Sequence, residues 1–189
     1  AGELRPIERV IGVEPVLTDA TIGLVEAVAD RYAGTFSDVV RAAVPPRHAR
    51  AESREVEPST WTSPAPDAQR WSDYTHGTAL LNRLPTTSRQ PTRAVWSMAP
   101  ASSWADDIAA LARSVLQQPT GGVLIVVPDA VAMDAVLDAL ADEHGANEIA
   151  VLSAESGPER RYAQFLRVLR GGVRLVVGPR ASVFAPDVE

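Results

Sequence analysis

Four short apolar runs, each handed on to an amphipathic segment, constrain this chain more than anything else in it. Ala94–Met98, Val123–Val127, Ile149–Leu152 and Val173–Val177 carry the β-branched and large apolar residues of strands. Val123–Val127 is apolar throughout, the pattern of a strand buried on both faces. Between the runs, apolar side chains recur at helical spacing: Ile108, Leu111, Ala112, Val115 and Leu116, then Met133, Val136, Leu137 and Leu140, then Tyr162, Phe165, Leu166 and Leu169. Ser103 with Asp106, and Ser156 with Glu159, stand as capping boxes; Asp129 stands as an N-cap, Pro158 at a first helical position and Gly171-Gly172 at a stop. Alternation of this kind predicts a parallel α/β sheet with right-handed crossovers. Ligands then gather at the carboxyl ends of the strands.

Ahead of this half the pattern is different. Residues 1 to 17, with Leu4, Ile7, Val10, Ile11 and Val13 apolar, read as an edge strand arriving from elsewhere. Thr18 offers an N-cap to a helix with Ile22, Val25, Val28, Ala29 and Tyr32 on one face, stopped at Ala33-Gly34-Thr35. A second helix over Ser37–Ala43, capped by Ser37, buries Phe36, Val39, Val40 and Val44 before Pro45-Pro46, so residues 18 to 46 form a helix-turn-helix unit packed by itself. Residues 47 to 70 mix arginines with glutamates and then turn Pro-, Ser- and Thr-rich, the composition of a solvated linker, with Pro58–Pro66 open to protease. From residue 71, Trp71, Tyr74 and a short apolar helix form a segment that docks on the α/β part; stacking of bases on these aromatics is the alternative.

Composition narrows the chemistry. The 18 basic residues are all arginines, so no lysine is available to a phosphate. Zero cysteines exclude disulfides and thiolate zinc sites, and the three histidines, His48, His76 and His144, have no ligand spacing. A net charge of −6 excludes strong non-specific DNA binding by the chain as a whole and leaves room for local arginines. No apolar run approaches the roughly 20 residues of a membrane span. The expectation is a cytoplasmic protein with no membrane partner.

Three passages resemble the primosomal protein N-prime family of replication-restart DNA helicases, in its actinobacterial type. They are Glu14-Pro-Val-Leu-Thr18 leading to Ala29-Asp-Arg-Tyr32 and Ser37–Pro46; Leu124-Ile-Val-Val-Pro-Asp129, similar to the family's motif Ia; and Val173–Pro186, similar to its strand followed by Gly-Thr-Arg-Ser-Ala and Phe. The resemblance implies a RecA-like helicase lobe of the P-loop NTPase type, here incomplete, after a partial winged-helix segment, with residues 71 to 189 as the lobe. It implies ATP and magnesium for the intact family, a zinc module that is absent here, branched or single-stranded DNA as ligand, and other primosome proteins and single-stranded DNA-binding protein as partners.

Laid over the family's P-loop, Ser103 falls at its lysine, Trp104 at its metal-binding hydroxyl, and Pro100 and Ser102 at glycines. These four residues are the nucleotide-binding positions, and none carries the phosphate-directed charge or the magnesium ligand that the chemistry needs. Pro179 replaces the family's threonine, while Arg180 keeps the guanidinium. Gly178, Arg180 and Ser182 are the DNA-facing candidates; pairing of Arg180 with a neighbouring carboxylate is the alternative. Arg113 is expected on a solvent face. The expected function is DNA binding in replication restart without ATP hydrolysis and with no catalytic residue. The alternatives are the family's ATP-dependent unwinding, or a structural fragment of a longer protein.

Overall fold

The computed structural model describes residues 8–12, 14–67, 69–84, 92–98, 100, 102–141 and 147–186. In chain order the helices of the first part are α1 (Asp19–Arg31), α2 (Phe36–Ala43), α3 (Ala49–Glu52), α4 (Gln69–Ser72) and α5 (Gly77–Arg83). There follow α6 (Trp104–Leu116), β1 (Val123–Val127), α7 (Ala130–Ala141), β2 (Ile149–Val151), a 3-10 turn (Ala154–Ser156), α8 (Pro158–Leu169), β3 (Leu175–Pro179) and a second 3-10 turn (Arg180–Phe184). The three strands form a parallel sheet in the order β1-β3-β2, with Leu175 opposite both Val123 and Ile149.

The parallel sheet with its crossover helices is the expected class, an incomplete α/β lobe. Its first expected strand does not form: Ala94–Met98 pairs with nothing, and Val95 is 97% exposed. A run of apolar residues makes a strand only where a neighbour completes its hydrogen bonds, and Trp96 instead joins an aromatic cluster with Trp71 and Tyr74, ring centroids 5.3 and 5.7 Å away. The fourth run is shifted, β3 beginning at Leu175 rather than Val173. Of the edge strand expected over residues 1 to 16, residues 8–12 and 14–16 are in no strand; Leu4, Ile7 and Val13 lie outside the described residues, as does His144.

One face of the sheet sends Ile125, Val127, Leu175, Val177 and Ile149 against Ala109, Ala112 and Leu116 of α6 and Met133, Val136 and Leu140 of α7. The other sends Ala150, Leu152 and Val176 against Tyr162, Phe165, Leu166 and Val168 of α8. That second layer covers β2 and β3 but not β1, so Leu124 (38% exposed) and Val126 (45%) are open and β1 is buried on one face, not two.

Helix ends follow local chemistry, with corrections. Thr18 caps α1 through the amide of Thr21, and Asp129 Oδ1 accepts the amide of Ala132 at 2.8 Å. Thr35, not Ser37, caps α2, accepting the amide of Asp38, and Phe36 is exposed. Neither Ser103 nor Ser156 caps a helix through its side chain: Ser103 stands at the N-cap of α6 without a side-chain hydrogen bond, and Gly157 takes the N-cap position of α8 with Pro158 following. Arg113 is not solvent-facing, because its guanidinium donates to Ala139 O at 2.9 Å.

Two further corrections concern how the first part sits on the sheet. The α1–α2 hairpin is not packed by itself: Val25 and Ala43 form one buried cluster with Phe184. Pro58–Pro66 is in no helix or strand, but is a strap rather than a loose linker. The Ser59 amide donates to Gly171 O and the Ser63 amide to Leu116 O, while Trp61 packs on the core. Arg174, 4% exposed, fixes it by donating to the carbonyls of Trp61, Gln118, Thr120 and Gly121 at 2.6 to 3.1 Å. The strap crosses the amino ends of the strands and leaves the carboxyl ends clear.

Candidate nucleic-acid interface

Two regions hold the residues singled out from the sequence. At the first, β3 runs through Gly178 into the turn Arg180–Phe184. A Cβ on Gly178 would lie 2.0 Å from Ser182 Oγ and 2.8 Å from Leu152 O, so only glycine lets the turn fold this closely onto β2. Ser182 is buried and its hydroxyl donates to Leu152 O at 3.1 Å. Gly178 and Ser182, two of the DNA-facing candidates, therefore shape the turn through the missing Cβ of the one and the hydroxyl of the other. Arg180 does face outward: it is exposed and has no hydrogen bond or ion pair with any described residue, so the carboxylate-paired alternative is not what forms. Phe184, at the far end of the turn, plugs into the α1–α2 hairpin, and this brings the hairpin against the turn that carries Arg180.

The second region is the junction before α6. Pro100 and Ser103 are exposed, Ser102 Oγ is buried without a partner, and the Trp104 ring packs on the α6–α7 core. Asp106 and Asp107 occupy the first turn of α6. They offset the positive end of the helix dipole where an anion would otherwise be favoured. Asp107 is buried, accepting from Tyr74 OH at 2.9 Å and facing Arg70 at 3.5 Å, while Trp71 Nε1 donates to Asp107 O at 3.0 Å. Segment 71–84 is thus docked onto α6 through Trp71, Leu81 and Ala110. A triphosphate with magnesium does not fit these residues: one orphaned hydroxyl is offset by two carboxylates, and Trp104 has no metal-binding atom. Among the described residues no group of three or more His, Asp or Glu side chains could hold a metal ion, and no helix is long and apolar enough to cross a membrane.

Sequence reasoning missed the Arg174 clamp and the Asp107 anchor. A buried arginine served only by carbonyls leaves no acid in the sequence to betray it. The pairing of Asp107 with Trp71 and Tyr74 spans more than thirty positions.

A parallel α/β half-lobe of RecA-like type, with a helical hairpin seated on the turn at the end of its third strand, is the class that these elements define. A family model described as the 3'DNA-binding domain (3'BD) matches residues 1–45, which include that hairpin. Over its whole length the chain is 44% identical to the probable replication restart proteins PriA of Mycobacterium tuberculosis and Mycobacterium bovis, and over 98% of it 38% identical to that of Mycobacterium leprae. It spans 28% of the length of the first two and 29% of the third. The chain belongs to the PriA family of replication restart proteins.

Proposed function

We propose that this chain binds DNA as a helicase-like part of replication restart, engaging branched or single-stranded DNA at the carboxyl ends of β2 and β3, and that it does so without hydrolysing nucleotide. The observation that carries this reading is the seating of the hairpin, part of the segment matched by the 3' DNA-binding model, on the turn bearing the unpartnered Arg180. A guanidinium there contacts phosphate bidentately and positions the strand without reading bases. The division into a terminal segment (1–17), a helical unit (18–46), a linker (47–70) and a lobe (71–189) belongs to this proposal. So do a cytoplasmic setting and primosome proteins or single-stranded DNA-binding protein as partners.

Fluorescence anisotropy with forked and single-stranded DNA over a salt series tests it. Wild type binds weakly, with a steep salt dependence, and Arg180→Ala weakens binding and flattens the slope of log affinity against log salt by about 0.7 per lost single-strand contact. Absence of binding at low salt overturns the reading. Transfer of a phosphoryl group depends on positive charge held against the phosphates, so DNA-stimulated phosphate release is expected to stay at background. Turnover abolished by Ser103→Ala would overturn that part alone.

A further inference from the structure

Burial separates one arginine from the rest. Among the described residues, Arg70, Arg113, Arg161, Arg167, Arg170 and Arg174 are the arginines not fully exposed. Five of these have fixed partners. Arg70 faces Asp106 and Asp107, Arg113 donates to Ala139 O, Arg167 to Gln164 and Asn147 O, Arg170 to Glu14, and Arg174 to its four carbonyls. Arg161 is half-buried and has no hydrogen bond or ion pair with any described residue. A guanidinium has five donors and keeps its charge at any ordinary pH. Withdrawing it part-way from water without a partner forfeits hydration for no return, which an anionic ligand would supply.

Its position says which anion. Arg161 lies in the first turns of α8 and lines a narrow crevice with Ala43 and Pro45, at the end of α2, and Ala181 and Ser182, of the turn after β3. Ala181 follows Arg180. The crevice therefore lies on the seam between the hairpin and the lobe, lined by Arg161 and by the residue next to Arg180. Of the nearby acids, Glu159 is engaged by Arg54 at 2.8 Å, and Glu155 is exposed on the preceding 3-10 turn.

We propose that Arg161 is a second phosphate contact, which with Arg180 holds one nucleic-acid strand across the seam between α2 and the turn after β3. This rests on the reading that Arg180 faces DNA. Two guanidiniums from different elements fix the direction of a strand, where one alone leaves it free to pivot.

The test is anisotropy of a labelled oligothymidylate over a salt series, with wild type, Arg161→Gln, Arg180→Gln, the double variant, Arg161→Lys, and Arg83→Gln as an exposed control. Arg161→Gln is expected to weaken binding roughly tenfold at low salt and to reduce the slope by about 0.7. Arg161→Lys should retain the slope, because the charge remains. Thermal unfolding of Arg161→Gln should not fall, since the side chain has no partner to lose. Wild-type affinity in Arg161→Gln beside weakened Arg180→Gln overturns the second contact and leaves the first. No binding by wild type overturns both. A drop in melting temperature matching the loss of affinity makes Arg161 structural and overturns the proposal.

Discussion

The two faces of the sheet are covered by different means. On the face of α6 and α7 the strap is held by apolar packing and by neutral acceptors: Trp61 lies on the core, and the buried Arg174 spends its charge on carbonyls. On the face of α8 they are held by ions. Arg170 grips Glu14 at 2.8 to 3.2 Å, Arg47 grips Glu52, Tyr162 OH donates to Glu52 Oε1 at 3.2 Å, and Arg54 pairs with Glu159. Carbonyls do not titrate and a buried clamp is poorly screened, whereas exposed ion pairs weaken with salt and carboxylates are lost with acid. The attachment of the strap is thus expected to be indifferent to conditions, and the contacts on the face of α8 adjustable. The turn that carries Arg180 lies beside the face of α8.

Gly178→Val attacks the turn itself and is expected to have the largest effect. The branched side chain cannot be placed beside Ser182 Oγ and Leu152 O, and overpacking of this kind costs about 3 kcal/mol. Urea unfolding should show the midpoint fall with little change of slope; a midpoint equal to wild type would mean that the close approach is dispensable. Next, Arg174→Met removes the clamp and strands four carbonyls at the amino ends of the strands. Some of these gain water, so the cost is about 2 kcal/mol rather than a sum over four bonds. Chymotrypsin, cleaving after Trp61, and elastase should then cut within residues 58–66, which they spare in wild type, and early cutting of wild type there would break the comparison. Trp104→Ser, on the same face, removes a partly buried ring and is expected to cost about 1 to 2 kcal/mol. It should yield no phosphate release, because restoring one hydroxyl leaves Asp106 and Asp107 in place.

What could be read from the residues was whatever depends on neighbours in sequence. Thr18 and Asp129 cap as expected because an N-cap reaches only two or three residues ahead. The helix faces of α7 and α8 emerged from periodicity, and so did the class of sheet; on α6 only Ala112 and Leu116 of the expected face are buried, with Ala109 and Ala110 beside them. Ala94–Met98 failed because strand propensity says nothing about a missing neighbour. Ser103 failed as a cap although type and spacing were right. The strap failed most instructively: a Pro-, Ser- and Thr-rich stretch looks unattached when judged by side chains, but its anchors are the amides of Ser59 and Ser63 and the carbonyl of Trp61. At the candidate interface, Arg180 was legible as a guanidinium after a strand and a Gly-Pro turn. That Gly178 and Ser182 turn inward, toward Leu152, depends on β2 lying beside β3 and was not.

The smallest effect, and the sharpest test of the difference between the faces, is in pH. Arg47, through its hydrogen bonds, holds the Glu52 carboxyl below the ordinary carboxylate range, with the Tyr162 hydroxyl and Arg170 acting in the same direction. Burial, then the bond to Glu52, pushes the Tyr162 hydroxyl above its ordinary value. A carboxyl depressed on folding lends stability above its unfolded value and loses it as pH falls through the folded one. A phenol raised on folding lends stability below its unfolded value and loses it as pH rises through the folded one. The pair therefore supports the α3–α8 seam across the neutral range, with the acid limb below about pH 4 and the alkaline limb above about pH 10. Glu52→Gln should flatten the acid limb of melting temperature against pH, and Tyr162→Phe the alkaline limb, each by an amount visible only beside wild type. Arg174→Met should lower the whole curve without changing its shape. A curve for Arg174→Met that changes shape, or one for Glu52→Gln that keeps it, would show that the two faces do not differ in the way their contacts suggest.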